Sequence, residues 1–157
     1  MAGVPTIQIP NLTYPATLNA FITAGWNIEL VDTDKYGILE GDQMAGKYVC
    51  LVGLYGRQPW SNASIKESYS FIVDGAQHWL VAGGNVGSGM AISFDPTKNL
   101  NASGNGGAIV TNDKGLYDFA ISYRDNGKGG QNWALTGTNS KMSELDCSHL
   151  KIGRAHV

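Results

Sequence analysis

Short apolar runs rich in β-branched residues recur along the chain, each of the length expected for a buried strand. Their near-continuous hydrophobicity suits a parallel sheet that is covered on both faces. The pattern predicts strands at Thr6–Ile9, Ile28–Val31, Tyr48–Leu54, Ser70–Val73, Met90–Phe94 and Ala108–Thr111.

Between some of these runs the apolar spacing changes to that of a helix. Residues Pro15–Ala24 and Asp113–Tyr123 each place apolar side chains on one face, and Asn112 or Asp113 can cap the second helix. Alternating strands and helices predict an α/β domain with a largely parallel sheet.

Composition narrows the class of protein without naming a function. The 157 residues are 43% hydrophobic and 15% charged, which describes a globular chain, and the net charge of −2 shows no basic stripe for nucleic acid. No signal-peptide pattern and no apolar run of about eighteen residues is present, so we expect a cytoplasmic protein without a membrane span. The spacing of Cys50 and Cys147 suggests neither a disulfide framework nor a metal site, and two reduced thiols are expected.

Ligands of parallel α/β sheets bind beyond the carboxyl ends of the strands, so the residues that follow each apolar run are the candidates for chemistry. Asp74 ends one run, where it can act as the N-cap of a following helix or pair with a cationic ring nitrogen. Lys98 follows another run in a proline-containing turn. It can be a solvated surface charge, or an amine in a cofactor pocket that must lose its proton well below the usual pKa of about 10.4. Spacing alone leaves both alternatives open.

Glycine is frequent, with 21 residues, and clusters at Gly83–Gly89 and Gly104–Gly107. These clusters predict backbone that turns tightly or approaches another group closely. A nucleotide-binding module is a competing interpretation of the first cluster. It lacks both the Gly-Lys-Ser/Thr ending and a Gly-x-Gly-x-x-Gly pattern between strand and helix, which disfavours that interpretation.

Several motifs, in order and in spacing, resemble the DegT/DnrJ/EryC1/StrS aminotransferases, which depend on pyridoxal 5'-phosphate (PLP). The resemblance runs from about Val4 to about Leu150. It is carried by Ile9–Ala20, Leu54–Gly56, Val73–Gln77, Ser93–Leu100, Gly104–Asp113, Arg124–Gly127 and Gly137–Leu145. It implies a three-layer α/β/α fold, as part of the large domain of an aspartate-aminotransferase-like enzyme.

The resemblance also implies a role for each matching residue. Lys98 matches the lysine that holds PLP covalently and moves a proton between the donor carbon and the cofactor. Asp74 matches the carboxylate that pairs with the pyridinium nitrogen, and Gln77 a residue near the phenolic oxygen. Tyr14 matches the aromatic residue that stacks on the pyridine ring, and Ser93 a hydroxyl that contacts the phosphate. Asn139 matches an asparagine that reaches across a homodimer interface to the partner's phosphate.

The implied activity is transfer of an amino group, with glutamate as the expected donor, to a keto group of a nucleotide-linked sugar. A related branch that catalyses dehydration carries histidine in place of this lysine, so Lys98 disfavours it. Two departures from the family pattern, Gly75 for alanine and Val73 for glutamate, remove no group that the mechanism needs.

A truncated, non-catalytic fragment of such an enzyme is the alternative. The resemblance implies that the family's phosphate-cradling segment lies upstream of the matching residues, and that the small C-terminal domain is expected outside them. Residues 1–150 are therefore expected to be a partial PLP-binding large domain. Residues 151–157 depart abruptly from the family pattern, resemble a translated sequencing adaptor, and are expected to be a non-native tail.

Overall fold

A computed structural model describes residues 3–40, 44, 46–59, 70–78, 87–128 and 136–154. Within them, every predicted strand is present and ends within two residues of its expected position. The strands are β1 (Thr6–Pro10), β2 (Asn27–Val31), β3 (Tyr48–Val52), β4 (Ser70–Asp74), β5 (Gly89–Ser93) and β6 (Gly107–Val110). Residues 83–86 of the first glycine cluster and residues 155–157 of the tail lie outside the described residues.

The strands form one six-stranded sheet in the order β2-β1-β3-β4-β5-β6. All neighbours are parallel except β5 and β6, which run antiparallel. The mostly parallel α/β fold expected from the sequence is therefore confirmed. From β1 the chain continues to β2 on one side, and it then returns past β1 to form β3 on the other side. The strand order therefore reverses between β1 and β3, and the loops that follow these two strands diverge. Such a switch point is where open α/β sheets characteristically bind ligands.

Both predicted helices form, as α1 (Pro15–Thr23) and α2 (Lys114–Tyr123). Pro15 opens α1, where its missing N–H costs nothing. Asp113 caps α2 because its carboxylate accepts hydrogen bonds from the backbone N–H groups of Gly115 and Leu116, at 2.7 and 3.1 Å.

A third helix, α3 (Glu144–Arg154), was not predicted from the sequence. Its start is marked by Ser143, whose hydroxyl accepts the backbone N–H of Asp146 and donates to the Asp146 carboxylate. Ser143-Glu144-Leu145-Asp146 is therefore a variant of the capping box, a signal that could have revealed the helix. α3 continues to Arg154 across the expected boundary at residue 150, and the assignment of residues 151–157 as a non-native tail stays a prediction.

Alternating side chains of the central strands build a core on each face of the sheet. Val49 and Leu51 belong to one apolar cluster, whereas Cys50 and Val52 belong to the other. Leu18 and Phe21 of α1 pack against the second cluster, so α1 covers that face. The continuous apolar sequence of β3 is explained by this burial on both sides.

The second glycine cluster allows close approach, as its sequence predicts. A Cβ at Gly107 would lie 2.7 Å from the carbonyl oxygen of Ile92 on the neighbouring strand, and one at Gly106 would lie 2.7 Å from Met142 Cε. Asp146 also accepts the N–H of Gly104 at 2.9 Å, which ties this segment to the first turn of α3. Among the helices of the described ranges, none is both long and apolar enough to cross a membrane.

Candidate functional site

A cleft of about 660 Å³ opens at the carboxyl edge of the sheet, next to the switch point. Its volume falls within the range of roughly 300–1,000 Å³ that is common for small-molecule sites. One wall is formed by α1, the floor by β3, β4 and β5, and the rim by the loops that follow β1, β3, β4 and β5. The sequence-predicted residues Tyr14, Asp74, Gln77, Ser93 and Lys98 all line it.

Asp74, the last residue of β4, presents its carboxylate to the cleft in a defined orientation. One oxygen, Oδ1, accepts the backbone N–H of Ala76 at 3.1 Å. The other, Oδ2, accepts the hydroxyl of Thr17 at 2.7 Å. The hydrogen bond from Ala76, two residues after Asp74, is that of an Asx turn. Whether a helix follows this turn lies outside the described residues, because residues 79–86 are not among them. The structure thus gives Asp74 a local structural role and still directs it to the cleft.

Lys98 reaches the cleft from a hydrogen-bonded turn after β5. Its backbone N–H donates to the carbonyl oxygen of Asp95 at 2.9 Å. The Asp95 carboxylate in turn accepts the N–H and the hydroxyl of Thr97, at 2.9 and 2.6 Å. These hydrogen bonds from Thr97, with a smaller contribution from the charge of Lys98, hold the pKa of Asp95 below its ordinary value. The turn is therefore fixed locally, and it places the partly buried Lys98 on the rim.

Ser93 ends β5 immediately before this turn. Its Oγ accepts the backbone N–H of Asp95 at 3.2 Å. Because the oxygen acts as the acceptor in this contact, the hydroxyl proton can be donated to a ligand in the cleft. Ser93 can therefore donate one hydrogen bond to a ligand group in the cleft.

Gln77 joins two parts of the rim. Its Oε1 accepts the backbone N–H of Tyr55 at 2.6 Å, and Tyr55 has a φ of 57°, which is unusual for a residue other than glycine. Nearby, Nδ1 of the buried His78 lies 3.1 Å from the carbonyl oxygen of Gly56. A Cβ at Gly53 would lie 2.2 Å from the Cβ of His78, so glycine is required for this close approach. The loop after β3 and the turn after β4 are consequently held together.

Tyr14 and Cys50 lie at opposite depths of the cleft. Tyr14 precedes α1 as its N-cap residue, and 70% of it is exposed, so its ring is accessible to a ligand. Cys50 is almost fully buried on the floor. Burial, together with the nearby charge of Asp74, raises the pKa of the Cys50 thiol above its ordinary value. This thiol therefore stays neutral, and its chemistry is that of a small apolar side chain.

Asn139 is the one sequence-predicted site residue that is not among the described residues lining the cleft. It lies exposed in the segment before α3 and forms an isolated antiparallel bridge with Asp125. The adjacent hydrogen bonds, from Asn126 N–H to Thr138 O and from Thr138 N–H to Tyr123 O, fix this segment to the end of α2. Lys141 donates to the Asp125 carboxylate at 2.7 Å, which lowers the pKa of Asp125.

Thr17 and Asp95 line the cleft and were not predicted as site residues, although both lie in motifs that carry the family resemblance. Thr17 contacts Asp74 across 57 residues of chain, and only the folded structure reveals that contact. Asp95 orders the turn that carries Lys98. Its spacing two residues before Thr97 is an Asx-turn signal that could have been recognised. The described residues contain no cluster of His, Cys, Asp and Glu suited to a metal ion.

The fold is that of an α/β protein whose ligand-sized cleft lies at the switch point of a mostly parallel sheet. A profile of the DegT/DnrJ/EryC1/StrS aminotransferase family matches residues 75–156, slightly more than half of the chain. The chain belongs to the DegT/DnrJ/EryC1/StrS aminotransferase family.

Curated relatives and a solved structure agree with this assignment. The chain is 38% identical over 87 residues to the erythromycin biosynthesis sensory transduction protein EryC1 of Saccharopolyspora erythraea, an alignment that covers 53% of this chain and 23% of that protein. It is 35% identical over 79 residues to dTDP-3-amino-3,4,6-trideoxy-alpha-D-glucose transaminase of Streptomyces venezuelae, covering 48% and 21%. The crystal structure of S. venezuelae DesV in complex with a ketimine intermediate superimposes with a TM-score of 0.84 and 26% identity. That superposition covers 97% of this chain and 46% of DesV, so the chain spans about half of the length of DesV.

Proposed function

We propose that this chain contributes the cofactor-binding part of a PLP-dependent aminotransferase that aminates a keto group of a nucleotide-linked sugar. The observation that carries the proposal is the convergence of Asp74 and Lys98 on one cleft, from the ends of two adjacent strands. A carboxylate for a cationic ring nitrogen and an amine for a covalent link are the two groups that such a cofactor needs most. Residues 1–150 correspond, in this proposal, to part of the large domain.

The residues fit the proposed cofactor in shape and in hydrogen-bonding chemistry. The hydrogen bonds from Thr17 and Ala76 orient the Asp74 carboxylate. Its oxygens have further lone pairs that can accept a hydrogen bond from a ring N–H. The amide oxygen of Gln77 is occupied by Tyr55, so the NH2 group of the same amide can donate to a phenolic oxygen. Ser93 can donate its hydroxyl proton to a phosphate. The exposed ring of Tyr14 can stack on an aromatic face.

Bound PLP would supply an electron sink for the carbanion that forms when the amino donor loses its α-proton. Lys98 would hold the cofactor through Nζ until the amino donor displaces it, and the freed amine would then move that proton from the donor carbon to the cofactor. Asp74 would keep the ring nitrogen protonated by opposite-charge pairing. The hydrogen-bonded turn at Asp95 would restrict the motion of Lys98, which limits the positions that the amine can take.

The substrate, the donor and the assembly are further parts of the proposal. Amination of a sugar is supported by the name of the S. venezuelae transaminase. We propose glutamate as the amino donor and a homodimer as the active assembly, in the cytoplasm. Asn139 is accessible and is not among the described residues of this chain's own cleft, an arrangement that supports a role in the partner's phosphate site.

A non-catalytic fragment is the second candidate. It is supported by the coverage of only 46% of the DesV chain, since the part of the site that other regions supply would then be missing. In this alternative the chain retains the fold of the family and lacks the activity. The two candidates differ in whether the protein binds PLP at all.

The test is covalent trapping of PLP, performed on the 157-residue chain and on the longest natural product that contains it. After incubation with PLP and reduction with borohydride, peptide mapping should locate the label on Lys98. Lys98→Ala should lose the label, whereas Lys114→Ala should retain it because Lys114 lies exposed on α2, outside the cleft lining. In the longer natural product, glutamate should then yield 2-oxoglutarate in a single turnover. Label on other lysines of wild type, with none on Lys98, would refute the assignment.

A further inference from the structure

Two threonines of the segment around the start of α1 form a hydrogen-bonded chain that ends on Asp74. Thr17 Oγ1 donates to Asp74 Oδ2 at 2.7 Å, and Thr13 Oγ1 lies 2.9 Å from Thr17 Oγ1. A carboxylate has no proton to donate, so the Thr17 hydroxyl must be the donor to Asp74. Its oxygen is then the acceptor for Thr13. The direction of the chain, from Thr13 to Thr17 to Asp74, follows from these contacts alone.

Thr17 is well placed to hold this contact. It is 5% exposed, and its backbone N–H donates to the carbonyl oxygen of Tyr14 at 3.1 Å in the first turn of α1. The same turn therefore carries Tyr14 and Thr17 into the cleft. A β-branched side chain in a helix has few rotamers, so the Thr17 hydroxyl is directed with little loss of side-chain entropy.

The contacts of Asp74 are divided between two elements. The Ala76 N–H, next to β4, fixes Oδ1, while Thr17 on α1 fixes Oδ2. With both oxygens held, rotation of the carboxyl group is restricted, and its remaining lone pairs face a fixed direction. Loss of the Thr17 hydroxyl would release one oxygen and leave the group to turn about its bond to Cβ.

We propose that Thr17, supported by Thr13, is the positioning residue that orients the Asp74 carboxylate towards the ring nitrogen of the cofactor. The inference rests on the proposed function, and it concerns a residue that acts through Asp74. Thr17→Val removes the hydroxyl and keeps the shape, whereas Thr17→Ser keeps the hydroxyl. Thr13→Val removes only the outer support and should have a smaller effect.

The test compares equilibrium binding of PLP with binding of 1-deaza-PLP, an analogue that has carbon in place of the ring nitrogen. Thr17→Val should weaken PLP binding by about tenfold or more, as expected for loss of a hydrogen bond to a charged group. It should leave binding of the analogue within about twofold of wild type. Thr17→Ser should restore PLP binding. Equal weakening for both ligands, or no weakening for PLP, would overturn the inference.

A crystal structure of the ligand-free Thr17→Val protein provides a second readout that needs no cofactor. The Asp74 carboxylate should be rotated or present in more than one conformation, and in Thr17→Ser it should return to the wild-type position. An unmoved carboxylate in Thr17→Val would refute the inference, even if wild type bound PLP normally. Failure of wild type to bind PLP in the longest natural product that contains the chain would refute the proposed function instead, and the position of Asp74 would still decide the role of Thr17.

Discussion

Gly75 and Met90 are sterically matched across the parallel pair β4 and β5. A Cβ at Gly75 would lie 2.9 Å from both Cγ and Sδ of Met90, and 3.1 Å from the carbonyl oxygen of Ala91. The backbone N–H of Gly75 donates to that same oxygen at 2.8 Å, so the backbone cannot withdraw without losing a hydrogen bond. The departure from alanine at position 75 therefore has a physical reason, because Met90 occupies the space that a methyl group would need.

We expect Gly75→Ala to lower the free energy of unfolding by about 1–3 kcal/mol, the usual cost of overpacking a core. In a Met90→Ala background the same change should cost less than half as much, since the clash is then removed. Chemical denaturation of the four proteins in the double-mutant cycle measures this coupling. Gly104→Ala is the control, because its Cβ would meet its nearest atom at an ordinary 3.6 Å. Additive effects of Gly75→Ala and Met90→Ala would contradict the steric match.

The two cysteines should differ in reactivity. Cys147 is exposed and Cys50 is buried with a raised pKa, so a thiol reagent at pH 8 should modify one thiol rapidly and the other only on unfolding. Thiol titration with and without denaturant measures both. Cys147→Ser should abolish the rapid phase, whereas Cys50→Ala should leave it unchanged. Rapid modification of Cys50 in the native protein would show that the floor of the cleft is open to solvent.

Burial of the Cys50 thiol should also make stability depend on pH above about 9. The folded state disfavours the thiolate, whereas the unfolded chain loses this proton near the ordinary value of 9.0. Above pH 9 the unfolded state therefore binds fewer protons than the native state. The Cys50 thiol leaves the free energy of unfolding unchanged below pH 9 and lowers it above pH 9, by up to about 1.4 kcal/mol per pH unit. Denaturation of the Cys147→Ser protein between pH 8 and about pH 10.5 provides the measurement, with Cys50→Ala in the same background as the control. Identical slopes for the two proteins would argue against the effect.

Loss of the Asp113 cap should destabilise α2. Asp113→Ala removes the acceptor for the N–H groups of Gly115 and Leu116 and should cost about 1 kcal/mol of the free energy of unfolding. Asp113→Ser should recover most of that loss, because a hydroxyl oxygen can accept the same bonds. Asn112→Ala, an exposed neighbour outside the helix, should have little effect. Equal losses for Asp113→Ala and Asn112→Ala in thermal denaturation would contradict the capping role.

The 157-residue chain alone should not catalyse transamination, even with excess PLP. Of the residues proposed to contact the phosphate, Ser93 is the one in this chain's own cleft, and one hydroxyl is a weak site for a dianion that usually binds at a helix N-terminus. Glutamate-dependent formation of 2-oxoglutarate should be seen only for a longer natural product that contains the chain. Turnover by the 157-residue chain at a comparable rate would show that the residues present are sufficient.

The sequence determined most of the fold, because its signals are local. Each apolar run became a strand, because β-branched side chains favour the pleated surface of a sheet. Asp113 capped α2 as its residue type favours. α3 escaped prediction because its start depends on the side-chain contacts of Ser143 and Asp146, whose box departs from the usual Glu or Gln. The resemblance to a family indicated which residues belong near a cofactor, but it gave no distances.

Only the tertiary structure decided how those residues meet. The reversal of β6 against β5, the contact of Thr17 with Asp74 and the match of Gly75 with Met90 each join residues distant in sequence. No pattern of apolar and polar positions encodes such contacts, because they depend on which strands become neighbours and in what register. The sequence thus specified the groups available for chemistry, while the order of strands and the packing of α1 on the sheet determined the cleft in which they converge.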